Sequence, residues 1–246
     1  MLITEVLDTD TGRTVLKCND SLGVTANGKC LFDACYLQHI PESEVRYTDF
    51  KSHLYDFEFG DIQVYPPHKM YACPPGWNTG GWSHMLTLMS IVLEARSQGH
   101  QTILVMEDDY NCGIDFSILV REKMMHLPED WHIASFYLAG HRSLTEIPYY
   151  ENTHWRRIGC QNGQQCVAYN IDRLDSQSPF LRLMYPEFWI QHISTDKSSP
   201  FLMDVSYTKH AREVGLNWYS VHENVGGTSR LPSDIFNMSG VQEKRM

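Results

Sequence analysis

One stretch constrains the fold of this chain more than any other: Thr102-Ile103-Leu104-Val105-Met106, apolar and β-favouring, which runs directly into Glu107-Asp108-Asp109. A short run of this kind reads as a strand buried on both faces, as in the sheet of an α/β protein. Ahead of it, Met85, Leu88, Met89, Val92 and Leu93 recur at helical spacing, with Ser83 as a candidate N-cap and Gly99 as a stop. The spacing predicts a helix over 84–97. A helix followed by a buried strand with carboxylates at its carboxyl end is the place where open α/β sheets bind ligands. Three adjacent carboxylates repel one another and are costly to desolvate, so a protein that buries them supplies a cation. Hard oxygen ligands suit Mg2+ or Mn2+, and such an ion can bridge phosphate oxygens and neutralise charge on a departing diphosphate.

The rest of the chain alternates similarly. Residues 1–60 carry short apolar runs and turn signals such as Asn27-Gly28, and predict strands and loops. Residues 62–82 concentrate Pro66-Pro67, Pro74-Pro75-Gly76 and Thr79-Gly80-Gly81-Trp82, and predict a long loop. Further on, a helix is expected over Phe116–Met125 and strands over Trp131–Leu138, Cys166–Asn170 and Trp218–His222, with a helix over Leu202–Val214 ended by Gly215. The expected fold is α/β, a Rossmann-type mixed sheet flanked by helices in a single domain of 246 residues.

Composition narrows the function classes. Hydrophobic residues at 42% and charged residues at 20% exclude disorder and fibrous repeats. The seven cysteines follow no paired spacing for structural zinc or a disulfide framework, so reduced thiols are expected. A net charge of −10 argues against a nucleic-acid partner held by overall charge, though not against a local basic face of Arg121, Lys123, Arg156, Arg157, Lys209 and Arg212. The start Met1-Leu2-Ile3-Thr4-Glu5-Val6 lacks signal-peptide character, and no apolar stretch approaches the roughly 20 residues of a membrane span. A cytoplasmic location is expected.

Gly80-Gly81-Trp82-Ser83-His84, the helix to Ala95 and the run Thr102 to Asp109 resemble glycosyltransferase family 25, the lipopolysaccharide and collagen galactosyltransferase-like group, in order and spacing. Asp130-Trp131 to Gly140, Gly159 to Asn170, and Met203-Asp204 through Trp218–His222 resemble later segments of that family, so the likeness spans roughly residues 80–225. Residues 1–80 form the divergent part: the family's opening Ile-Asn-Leu-Asp strand and its arginines are replaced by Ile3 to Leu7 and then Asp8-Thr9-Asp10. Residues 226–246 follow as a loop or tail.

The resemblance implies a GT-A fold and transfer of a sugar from a nucleotide sugar, UDP-linked as the first expectation, to a hydroxyl acceptor. Carried over residue by residue, Glu107 and Asp109 match the outer acids of the DxD-like motif and would hold Mn2+ or Mg2+, with His222 as a late third ligand. Asp108 would contact ribose or sugar, and Asp204 would orient or deprotonate the acceptor hydroxyl, or else simply cap the helix that follows it. Ser83 and His84 open the helix, where its N–H groups and dipole favour phosphate, and Arg156, Arg157 or Arg230 could pair with phosphate oxygens. Gly226-Gly227-Thr228-Ser229-Arg230 reads as a phosphate-facing loop or a plain turn. Trp77, Trp82, Trp155 and Trp189 offer stacking faces for sugar, against the stronger expectation of core packing. A saccharide acceptor comes first and a hydroxymethylated base in viral DNA second.

Two other readings use the same residues. A metal-dependent phosphohydrolase or nuclease would gather Glu107, Asp108, Asp109, Asp204 and His222 around a phosphodiester. A non-catalytic sugar-binding module would have no need of intact acids at 107–109.

Overall fold

The computed structural model describes residues 3–18, 30–68, 79–138, 152–158, 165–176, 211 and 215–229. Its elements are β1 (Thr4–Leu7), β2 (Thr14–Lys17), β3 (Ala34–Gln38), α1 (Glu44–Ser52), β4 (Ile62–Tyr65), α2 (Thr79–Ser97), β5 (Thr102–Glu107), β6 (Tyr110–Cys112) and α3 (Phe116–Met125). These are followed by β7 (Ile133–Ser135), β8 (Trp155–Arg157), β9 (Cys166–Asn170), α4 (Ile171–Ser176), β10 (Trp218–Val221) and β11 (Gly226–Thr228). Among the described residues nine strands make one mixed sheet in the order β1-β2-β4-β3-β5-β9-β7-β10-β8, and β11 pairs with β6 apart from it.

The apolar run Ile103–Met106 earns its burial from both faces, because β5 lies mid-sheet, parallel to β3 and antiparallel to β9. Successive side chains on a strand point to opposite faces. Ile103 and Val105 accordingly pack with Met85, Leu88 and Val92 of α2, and Leu104 and Met106 with Phe50 of α1 and Phe116 and Val120 of α3. Helices thus cover both faces.

Several expectations change. Ile62–Tyr65 is not loop but β4, parallel to β3, with Ile62, Val64 and Tyr65 buried; residues 69–78 of the expected loop lie outside the described residues. Helix α2 begins at Thr79 rather than 84, so Gly80 and Gly81 are helical. Burial of Trp82 against the sheet outweighs the roughly 1 kcal/mol that each glycine costs in a helix. Helix α1, unforeseen, has a polar sequence whose buried side chains include an arginine, Arg46, beside Tyr47 and Phe50.

The strand expected over Trp131–Leu138 is regular only at 133–135, since Leu138 turns its N–H to the Asn224 side chain. The expected helix over Leu202–Val214 falls outside the described residues apart from Ala211, which is helical, and Gly215 follows at φ 83°. Cys18, Cys30, Cys35, Cys112 and Cys166 are free thiols. No described helix is long and apolar enough to cross a membrane.

Candidate functional site

Registers fix which ends of the strands meet. β3, β4, β5, β7 and β10 run the same way, so their carboxyl ends share one edge, with the end of β5 near its middle. Glu107 donates its N–H to the Gln165 carbonyl (2.9 Å) and Asp108 to the Gln38 carbonyl (3.1 Å), which ties the acidic run to the strands on either side. The chain then turns at Asp108-Asp109 and enters β6.

The pleat and the turn divide the three acids. Glu107 follows Ile103 and Val105 onto the α2 face, where its Oε1 stands 3.8 Å from Nε2 of His84. Asp108 points to the α1 face and is 2% exposed. Its Oδ1 meets the Arg46 guanidinium at 2.5 Å. Its Oδ2 meets Nδ1 of His39 at 2.9 Å and accepts the Ile40 N–H at 3.3 Å. His39 in turn stacks on Tyr47, with ring centroids 4.3 Å apart. Asp109 stands at the edge, more open than Asp108, and its Oδ2 lies 3.4 Å from the same Arg46 nitrogen. The sequence argument that buried carboxylates need a cation therefore holds for Asp108, and the cation there is a guanidinium.

A second segment closes over the turn. After β10, Val225 donates its N–H to the Phe136 carbonyl (3.0 Å), β11 pairs with β6, and Ser229 donates its N–H to the Asp109 carbonyl (2.6 Å). A Cβ on Gly226 would lie 2.4 Å from the Asn111 carbonyl oxygen and 2.4 Å from the Tyr110 hydroxyl, so only glycine allows this approach. Gly226–Thr228 is thus a paired strand, not the loop or turn expected. Behind the turn, burial pushes Tyr110 and the thiols of Cys112 and Cys166 well above their ordinary values and keeps them neutral. The acidic turn thus rests on buried side chains.

Other expected site residues are dispersed. Ser83 lies inside α2 rather than capping it, and its hydroxyl donates to the His68 carbonyl. His84 is one turn further from the helix start than expected, yet its side chain reaches Glu107. His222 follows β10, three strands from β5 or roughly 14 Å at ordinary strand spacing, and donates its backbone N–H to the His154 carbonyl at 3.2 Å. Arg157 is on β8, the far edge strand, paired with Tyr219. The structure does not bring His222 or Arg157 to the acidic turn. Asp204 and Arg230, like Trp77 and Trp189, lie outside the described residues. Trp82 and Trp155 are buried in the core. Among the described residues no three His, Cys, Asp or Glu side chains are grouped closely enough to hold a metal ion.

Three residues at the site escaped the sequence reading. His39 and Arg46 come from more than sixty positions upstream, and the only local signal is the apolar run Ala34–Leu37 that carries His39 to the edge beside β5. Gln165, the residue before β9, stands across from Glu107, and its side-chain oxygen is buried with no hydrogen-bond partner among the described residues.

No family model matches the sequence, and no curated protein matches it. Among solved structures, the chain is similar to A197 from STIV at 10% identity and a TM-score of 0.41, over 82% of this chain and 86% of that one. It is similar to mouse xyloside xylosyltransferase 1, apo form, at 13% identity and a TM-score of 0.39, over 74% and 69%. A third is a glycosyltransferase involved in the glycosylation of the major capsid of PBCV-1, at 10% identity and a TM-score of 0.35, over 85% and 98%.

Proposed function

We propose that this chain is a metal-dependent glycosyltransferase of GT-A type that moves a sugar from a nucleotide sugar, UDP-linked first, to a hydroxyl acceptor, saccharide before modified DNA base. The observation that carries the reading is the partition of the acidic turn: Asp108 is neutralised internally, while Glu107 and Asp109 stand at the sheet edge on either side of it.

Two part-exposed carboxylates suit Mg2+ or Mn2+, which take one or two protein carboxylates and complete their shell with substrate phosphates and water. When bound, such an ion would supply charge neutralisation for the departing diphosphate. Glu107 and Asp109 would hold it. Asp108 keeps the turn rigid. His84, in the second turn of α2, has its Nε2 3.8 Å from Glu107 Oε1 and would contact the donor's phosphate there. Asp204 remains the proposed base for the acceptor.

Titration calorimetry with UDP, with and without Mn2+, tests the reading. Metal-dependent binding at sub-millimolar UDP is expected, together with slow hydrolysis of the matching UDP-sugar. Binding indifferent to metal, or none at millimolar UDP, would sink it. Metal-dependent cleavage of a generic phosphodiester, lost in Asp109→Ala, would instead make the chain a phosphohydrolase.

A further inference from the structure

One guanidinium nitrogen lies between two neighbouring carboxylates, and the two contacts are unequal. Arg46 is 2.5 Å from Asp108 Oδ1 and 3.4 Å from Asp109 Oδ2. Asp108 is itself fixed from the other side, by His39 and by the Ile40 N–H on Oδ2. The carbonyl of Asp109 is fixed by the Ser229 N–H, so the backbone at the turn has little room to follow a moving side chain. Arg46 is buried, as are Asp108 and His39. A buried guanidinium needs a carboxylate partner, and two are within reach.

We propose that Asp108 is a positioning residue that holds Arg46 back from Asp109 and so keeps the Asp109 carboxylate available to a divalent cation. This rests on the reading of Glu107 and Asp109 as cation ligands. Without the charge on Asp108, Asp109 is an anionic partner within reach of Arg46, and closing the 3.4 Å gap makes a charge-assisted ion pair that competes with the cation for the same oxygen. The middle acid of the run therefore controls the outer one without touching substrate. Within this chain it answers why a third carboxylate stands in a turn where two suffice for the ion.

Three full-length variants and two readouts decide the matter. Mn2+ affinity is measured from free Mn2+ by electron paramagnetic resonance, and folding by thermal melting. Asp108→Asn keeps the shape of the side chain but replaces one carboxylate oxygen by an NH2 and removes the charge, and it lowers Mn2+ affinity by about tenfold or more, the size usual for loss of a residue that orients a metal ligand. Adding Arg46→Met to Asp108→Asn removes the competing guanidinium and restores Mn2+ affinity to within a few-fold of the native protein. Arg46→Lys keeps a cation on Asp108 with shorter reach toward Asp109, and holds native affinity even if Asp108→Asn fails to fold.

The proposal is overturned if folded Asp108→Asn binds Mn2+ as the native protein does, if the folded double variant stays as weak as Asp108→Asn, or if Arg46→Lys loses affinity tenfold. Absence of Mn2+ binding by the native protein would instead remove the metal reading. In that case crystal structures of the native protein and Asp108→Asn still decide, because an Arg46 that has not moved toward Asp109 refutes the positioning role.

Discussion

Two clusters of ionisable groups occupy the same edge of the sheet and solve opposite problems. At the end of β5, Asp108 is buried as an anion and receives Arg46, His39 and the Ile40 N–H. Past the ends of β8 and β10, the cluster is basic: His126 and His154 stack with ring centroids 4.1 Å apart, Lys123 Nζ is 3.4 Å from His154 Nδ1, and His222 is bonded through its backbone to His154. The acidic end is stabilised by opposite charges held in fixed geometry. At the basic end, burial first and then the neighbouring His126 and Lys123 hold His154 below its ordinary value. The segment Val225–Ser229 runs from one cluster to the other and ends on the Asp109 carbonyl. A charge that is paired can be kept at neutral pH and used; an imidazole whose value is lowered first by burial is a stability element that acid undoes.

The comparison breaks most forcefully at Asp108. Asp108→Ala leaves Arg46 and His39 buried without their anion, and breaking a buried pair in this way costs about 3–5 kcal/mol. Asp109, 3.4 Å from Arg46, takes up part of the charge, so the lower end of that range is expected in urea unfolding. The matching change one residue on, Asp109→Ala, leaves Arg46 paired with Asp108 and should cost less than Asp108→Ala, while abolishing metal-dependent UDP binding. If the two variants lose equal stability, the division between a structural and a ligand-binding aspartate is wrong.

The link between the clusters gives the next effect. Gly226→Ala places a methyl 2.4 Å from the Asn111 carbonyl oxygen, which is backbone of the paired strand and cannot swing aside. Overpacking of this kind costs about 1–3 kcal/mol. Because β11 leads directly to the Ser229 N–H on Asp109, UDP binding in the presence of Mn2+ should weaken along with stability. Loss of stability with unchanged binding would show that the segment clamps β6 but does not hold the turn.

How much of this was legible in the sequence follows from how local each cause is. β5, β9 and α3 could be read because their signal is their own: Thr102–Met106 and Cys166–Asn170 are short apolar runs, and Phe116 and Val120 sit one helical turn apart. The acidic run could be placed at a strand end for the same reason. Helix α1 could not, because Glu44-Val45-Arg46-Tyr47 has an arginine on its buried side and an exposed valine, the reverse of the usual pattern. That inversion has its cause in Asp108, which is distant in sequence and meets α1 only when β3 and β5 pair. The start of α2 was hidden because Gly80-Gly81 reads as a loop until Trp82 finds the sheet to pack on. Gly226 read as turn punctuation, whereas it is glycine because another strand passes 2.4 Å from where a side chain would begin.

The smallest effect lies at the basic end and shows itself as pH dependence. His154 has its folded value lowered from the ordinary 6.5, so below that pH the unfolded chain binds a proton more readily than the folded one. Stability contributed by the neutral imidazole is complete above pH 6.5 and is lost as pH falls through that value toward the lower folded one. His132, held down by burial and by Arg173, has the same sign and adds to the slope. Glu122, whose Oε1 is 3.7 Å from His154 Nδ1, acts in the opposite sense and moderates it. Replacing His154 with Gln removes a proton-binding site without placing a charge there, so the drop in melting temperature between pH 7.5 and 5.5 (about two units, bracketing imidazole titration) should shrink relative to the native protein. Asp109→Ala, at the other end of the edge, should leave that drop unchanged. If instead Asp109→Ala alters the pH slope and His154→Gln does not, the acid sensitivity belongs to the carboxylate cluster and the contrast between the two ends fails.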